Sequence, residues 1–218
     1  MIGQEDGTLK QHELSEREKF NLGVALDKAV NELSEQDPKF VCLNSGVIYN
    51  REQESFILPY LNRKYFIHHR SGEVKSLLDG RGVSIQLQIL FLHYLSHADG
   101  TPLKKEWITF KELPGGLIYV EPYQKRTIKP LLKYFGQKAE KFVETALSLG
   151  GEKASFGDAS IILRPLPRVP LGFVLWEGDE EFPPSANILY DASAAHYLPT
   201  EDYALLPGLI IWEMAAML

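Results

Sequence analysis

Residues 163–203 constrain the fold more than any other stretch of this chain. They hold six of its thirteen prolines. Proline lacks a backbone N–H and fixes φ, so this stretch cannot be helical over its length. Between Pro170 and Gly178 lies the apolar run Leu171-Gly172-Phe173-Val174-Leu175-Trp176. That length and composition fit a buried strand. The strand delivers four carboxylates, Glu177, Asp179, Glu180 and Glu181, to a turn hinged on Gly178 and followed by Phe182-Pro183-Pro184. Residues 159–163 and 187–190 read as further strands, separated by the same proline-rich punctuation.

The remainder is mostly helical. Residues 12–35 carry Leu14, Leu22, Leu26, Ala29, Val30 and Leu33 largely at helical spacing, with charges opposite. Ser15 and Glu18 form a candidate capping box with Leu14 as its staple, and Asp37-Pro38 closes the helix. Residues 40–50 hold two short apolar runs around the turn Asn44-Ser45-Gly46. Residues 56–60 and 64–68 read as a hairpin with Pro59 at an edge or a bulge, because proline cannot donate to the ladder. Residues 83–95 are apolar most of the way round and predict a central core helix. Residues 107–110 read as extended, 113–116 (Leu-Pro-Gly-Gly) as a tight turn, and 117–136 as two short helices interrupted by Pro122 and Pro130. Residues 137–149 are amphipathic and closed by Gly150-Gly151. A last helix is expected from Thr200, its N-cap, to Met217. The fold class is α+β: a helical layer packed on a mixed or antiparallel sheet in a single domain over 11–218, preceded by a flexible N-terminus, 1–10.

Composition narrows the function classes. With 44% apolar and 24% charged residues among 218, the chain is of soluble globular type and can bury a core without disulfides. A net charge of −6 without a Lys/Arg run argues against a nucleic-acid partner. The single cysteine, Cys42, excludes an intrachain disulfide and any multi-cysteine zinc or iron–sulfur site within the chain. The first residues are polar and acidic, which is no signal peptide, and no apolar run reaches the roughly 20 residues needed to span a bilayer. No membrane association and a cytoplasmic location are expected.

Each candidate site has a plain and a functional reading. Four carboxylates in five residues repel one another unless water or cations offset them. They are either a solvated loop, an acid/base or cation site, or a partner-docking loop stiffened by Trp176, Phe182 and the prolines. Asp191 ends a strand and His196 follows: an acid/base pair, or a turn cap and a packed ring. His68 and His69 are adjacent on a strand and face opposite ways, so they cannot readily share an ion. His93 and His97 have the i, i+4 spacing of a helical zinc pair, but Tyr94 stands where a His-Glu-x-x-His motif has Glu. The plain reading of His93 is a satisfied core histidine. Residues 113–116 lack the Lys-Ser/Thr of a phosphate loop, and no Gly-x-Ser-x-Gly elbow exists.

Several segments together carry a resemblance: Leu92-His93-Tyr94-Leu95, Trp107-Ile108-Thr109-Phe110-Lys111-Glu112-Leu113-Pro114-Gly115-Gly116, Gly157-Asp158-Ala159-Ser160, Leu166-Pro167-Arg168-Val169-Pro170-Leu171, Trp176-Glu177-Gly178-Asp179-Glu180-Glu181-Phe182-Pro183, and Leu198-Pro199-Thr200-Glu201-Asp202. From near Phe20 onward the chain resembles a prokaryotic family known as domain of unknown function 3786. Longer relatives look like fusions with a cysteine-rich iron–sulfur module of the kind found in corrinoid proteins of anaerobes. The resemblance implies a neighbourhood of anaerobic one-carbon, corrinoid or redox metabolism. It implies no cluster in this chain, which has one cysteine.

The leading expectation is a non-catalytic accessory or binding protein. It would hold a small-molecule cofactor or a redox partner protein in a cleft lined by Trp176, Asp179, Glu180, Glu181, Phe182, Asp191 and His196. The residues specify neither the cofactor nor a metal. The alternative is an enzyme with Asp179, Glu180 or Glu181 as base, His196 as acid, and Arg168 holding an anionic substrate. A third reading is a homo-oligomeric interaction subunit joined through the apolar C-terminal helix.

Overall fold

The computed structural model describes residues 15–218. The expected flexible segment 1–10 and the Leu14 staple lie outside the described residues. Helix α1 (Glu16–Ser34) opens on the expected capping box: the Ser15 hydroxyl accepts from the Glu18 N–H, and the Glu18 carboxylate accepts from the Ser15 N–H at 2.9 Å. Asp37 and Pro38 do more than end it. Asp37 caps a second helix, α2 (Pro38–Ser45), with Pro38 at its first position, where a missing N–H costs nothing. Gly46, at φ +77°, ends α2. The sequence shows only apolar runs there, because so short a helix has little periodicity to display.

A four-stranded antiparallel meander follows: β1 (Ile48–Asn50), β2 (Ser55–Tyr60), β3 (Arg63–His68) and β4 (Val74–Ser76), in that spatial order. β2 and β3 form the expected hairpin, with Pro59 opposite Lys64. Pro59 is tolerated because β1 pairs only with Ser55, Phe56 and Ile57, so its missing donor faces no strand.

Helix α3 (Ile85–His97), capped by Ser84, is the expected core helix. Ile89, Leu90, Phe91, Leu92, Tyr94 and Leu95 are all buried. Its Phe91 ring meets Tyr60 and Tyr65 of the meander, each with centroids 5.2 Å apart.

β5 (Trp107–Thr109) leads into the turn at 113–116 and two short helices, α4 (Val120–Arg126) and α5 (Ile128–Phe135). The prolines do not interrupt them. Pro122 and Pro130 each lie in the first turn, and the break is at Thr127, whose φ and ψ of −125° and −71° leave the helical region. Gly116 is required by close approach. A Cβ there would sit 2.1 Å from the Phe110 carbonyl oxygen. Gly116 thus serves close packing, and Gly115, at φ +71° with open space around it, serves the turn's left-handed backbone.

After α6 (Ala139–Ser148) come β6 (Glu152–Lys153), β7 (Ala159–Leu166), β8 (Val169–Trp176) and β9 (Ser185–Asp191). With β5 they make a second sheet in the order β5-β9-β8-β7-β6, antiparallel throughout. β8 is buried from Val169 to Leu175, so both its faces are covered. The last helical stretch is two pieces, α7 (Thr200–Tyr203) and α8 (Leu206–Ala215). Thr200 is inside α7 rather than its N-cap, and its hydroxyl donates to the Pro114 carbonyl at 2.7 Å. The fold is a single α+β domain with two antiparallel sheets where one sheet was expected, and one contiguous core runs through both.

Phe91→Ala removes a fully buried ring from that core and should cost about 3–5 kcal/mol in urea unfolding. Gly116→Ala should cost about 1–3 kcal/mol by overpacking against backbone that cannot yield.

Candidate functional site

The acidic cluster occupies the tip of the β8–β9 hairpin, where Trp176 pairs with Ser185. The tip is tightly built. The Asp179 N–H donates to the Phe182 carbonyl at 2.9 Å. The Asp179 carboxylate accepts from the N–H groups of Phe182 (2.7 Å) and Glu181 (2.9 Å), and these bonds hold its carboxyl below the usual range. The Glu177 N–H donates to Asp158 at 2.9 Å. A Cβ on Gly178 would lie 2.7 Å from Pro184, so only glycine fits that hinge. Glu177, Asp179, Glu180 and Glu181 are all exposed, and none of them pairs with a Lys, Arg or His among the described residues. Beside them Trp176 is 39% exposed and Phe182 67%.

The other predicted residues lie elsewhere. Asp191 is at the far end of β9, six residue steps from Ser185, or roughly 20 Å at about 3.3 Å per step. Arg168 is likewise at the end of β8 opposite the tip, just before Val169. The cleft expected to join Trp176 and Asp179–Glu181 to Asp191 and His196 is therefore not formed. Nor is the pairing of those carboxylates with His196 that the acid/base alternative requires. In an antiparallel hairpin the tip and the strand termini are opposite extremes.

Asp191 is nearly inaccessible and fully engaged. One oxygen accepts from the Lys104 N–H (3.0 Å), the Ser193 N–H (2.9 Å) and the Ser193 hydroxyl (2.6 Å), and the other from the Lys105 N–H (2.7 Å). Burial works against its charge, but the Ser193 and backbone donors outweigh it and leave the carboxyl below its ordinary value. It fastens the segment around Lys105, which is held at φ +59°. Arg168 is structural in the same sense. Its N–H donates to the Tyr94 hydroxyl (3.2 Å) and its guanidinium to the Leu43 carbonyl (3.2 Å).

His196 is partnered by Asp99, not Asp191, at 2.7 Å from Nδ1. The Thr101 hydroxyl and His196 hold Asp99 down at about 2. His93 Nδ1 lies 2.7 Å from Asp202, whose carboxylate outweighs the opposing effect of burial and raises the imidazole's pKa. His93 is thus partnered through Nδ1, in line with the plain reading, while its side chain stays partly exposed rather than in the core. His69 is buried with Nε2 3.1 Å from the Leu33 carbonyl, while His68 meets Ser71. Sequence reasoning missed Asp99 and Asp202 as histidine partners. They are 97 and 109 residues from the rings they meet, and no local pattern spans that distance.

Three open surface cavities, of about 510, 660 and 380 Å³, are lined by Arg63, Leu149 and Glu213, by Cys42, Tyr49 and Arg51, and by Thr109, Tyr123 and Asn187 among others. None is lined by a predicted site residue. Among the described residues no three His, Cys, Asp or Glu side chains converge as a metal-ligating set, and no helix is long and apolar enough to cross a membrane. The apolar face of α8 is used inside the chain: Leu206, Ile210, Ile211 and Met214 are in the core, and Trp212 meets Tyr134 at 5.5 Å.

Asp191→Ala should cost about 2–4 kcal/mol, because it strands the buried donors that converge on the carboxylate. The depressed carboxyl contributes stability that is present above the unfolded value near 3.9 and lost as pH falls through the folded value. Wild type should therefore lose stability more steeply than the variant below about pH 4. Melting temperatures of the two from pH 7 to 3 measure both effects.

No curated protein and no solved structure matches the chain. Residues 37–212 match the family described as Domain of unknown function (DUF3786), and the chain belongs to that family.

Proposed function

We propose that this protein is an accessory binding protein that docks a basic protein partner through the β8–β9 hairpin tip. One observation carries the reading: four exposed carboxylates, without a cationic partner among the described residues, sit on a turn held by its own hydrogen bonds, between two exposed aromatic rings. Charges left unpaired in this way steer an oppositely charged surface and set its register. An exposed Phe and a half-exposed Trp supply the apolar contact that anchors such a surface. A flexible acidic tail would lose conformational entropy on binding, and a pre-formed turn loses much less. None of the three cavities above is lined by residues of the tip, and an exposed convex turn suits a protein partner better than a small cofactor. The neighbourhood that the family resemblance implies, anaerobic one-carbon and corrinoid chemistry, makes a redox protein with a basic face the partner to seek.

The test uses full-length protein purified without oxygen from its own cells, examined by native mass spectrometry. A variant with Glu177→Lys, Glu180→Lys, Glu181→Lys and Phe182→Ala keeps Asp179, which holds the turn. The wild type should carry a partner of high isoelectric point that is released by raised salt, and the variant should carry none. A small chromophore in place of a protein, or the same partner on the variant, would refute the reading.

A further inference from the structure

We propose that His93 and His97, on the last turns of α3, form a two-histidine chelate for a zinc-class divalent cation, with water completing the coordination.

The two residues are four apart on one helix, so their side chains share a face. Their ring centroids are 5.5 Å apart with planes at 72°. Two imidazoles bound to one tetrahedral zinc ion through nitrogens at about 2.0–2.1 Å place their ring centres about 5 Å apart. The rings thus already stand near the separation that a shared ion imposes.

The protonation pattern points the same way. His93 Nδ1 is 2.7 Å from an Asp202 carboxylate oxygen, and His97 Nδ1 is 3.0 Å from the His93 carbonyl oxygen. Both oxygens can only accept, so both Nδ1 atoms carry hydrogen. In the neutral rings the lone pair is therefore on Nε2 in each case. No described group bonds to either Nε2. An imidazole whose other N–H is given to a carboxylate or a backbone carbonyl is the usual outer arrangement of a metal-bound histidine; it fixes the tautomer and raises the ring's basicity. Here both rings have it, and the partner of His93 comes from α7, 109 residues away. His93 keeps 23% of its side chain exposed and His97 is exposed, so an ion can enter from solvent.

The structure also limits what the ion does. The position after His93, which would hold the general base of a zinc hydrolase, is Tyr94. Its hydroxyl is buried and donates to the Ser45 carbonyl at 2.6 Å. Both protein ligands are on α3, so the ion would bridge two turns of that helix, while Asp202 of α7 holds the His93 ring in place.

Isothermal titration of the untagged full chain with zinc chloride at neutral pH tests this. One ion should bind per chain, saturably and tighter than about 1 mM. His97→Ala, an exposed change, should weaken binding at least tenfold while leaving the melting temperature of the metal-free protein unchanged. Asp202→Asn should weaken it by about 10–100-fold. His68→Ala should leave it as in wild type. Absence of saturable binding by the wild type, or equal binding by His97→Ala, overturns the proposal.

Discussion

The hydroxyl of Tyr94 is the junction on which the arrangement of the molecule depends. It lies in the C-terminal half of α3, on a side chain with no exposed surface. It donates to the Ser45 carbonyl at the end of α2 and accepts from the Arg168 N–H in the β7–β8 turn. Burial raises its pKa far above the ordinary tyrosine value, so it stays protonated and keeps its donor. Its ring lies 6.3 Å from that of Tyr197, whose own hydroxyl donates to the Thr101 carbonyl. One side chain thus joins the N-terminal helices, the second sheet and the 194–203 segment. Buried polar groups must find partners, and satisfying this one fixes two parts of the chain, the end of α2 and the β7–β8 turn, relative to α3.

Around that junction Arg168, Asp191 and His196, which sequence reading treated as candidate chemistry, make hydrogen bonds within the fold. Arg168 ties the β7–β8 turn to the Leu43 carbonyl. Asp191 gathers four hydrogen bonds from Ser193, Lys104 and Lys105. His196 holds Asp99. A carboxylate whose acceptor sites are filled by backbone donors is held ionised and shielded from substrate. That is the opposite of a poised general base, which needs a perturbed and accessible lone pair.

What was legible in the sequence follows from the range of the interactions involved. The capping box at Ser15 and Glu18, the apolar circumference of α3 and the Pro-bounded run of β8 are set by neighbours within a turn or a strand, and each appears in the structure. The α2 helix was hidden because eight residues give little periodicity. Pro122 and Pro130 misled because proline within a helical pattern suggests a break, whereas each sits in a first turn that lacks the bond proline would remove. The acidic turn was visible as composition. Its distance from His196 was not, since that depends on β8 and β9 pairing in full register from Trp176 with Ser185 to Leu171 with Tyr190.

That register separates the molecule electrostatically as well as spatially. The hairpin tip holds four of the acidic groups behind the net charge of −6, all in water. The opposite end of β9 carries Asp191 and, just beyond it, the His196–Asp99 pair. Roughly 20 Å of strand lies between them, against a screening length of about 8 Å at physiological salt. Charge at the tip is therefore screened from Asp191. Any influence of one end on the other has to be mechanical. Since β9 is flanked by β5 and β8 and its Tyr190 donates to the Tyr203 carbonyl at 3.2 Å, it would have to act by moving the strand and the 194–203 segment together.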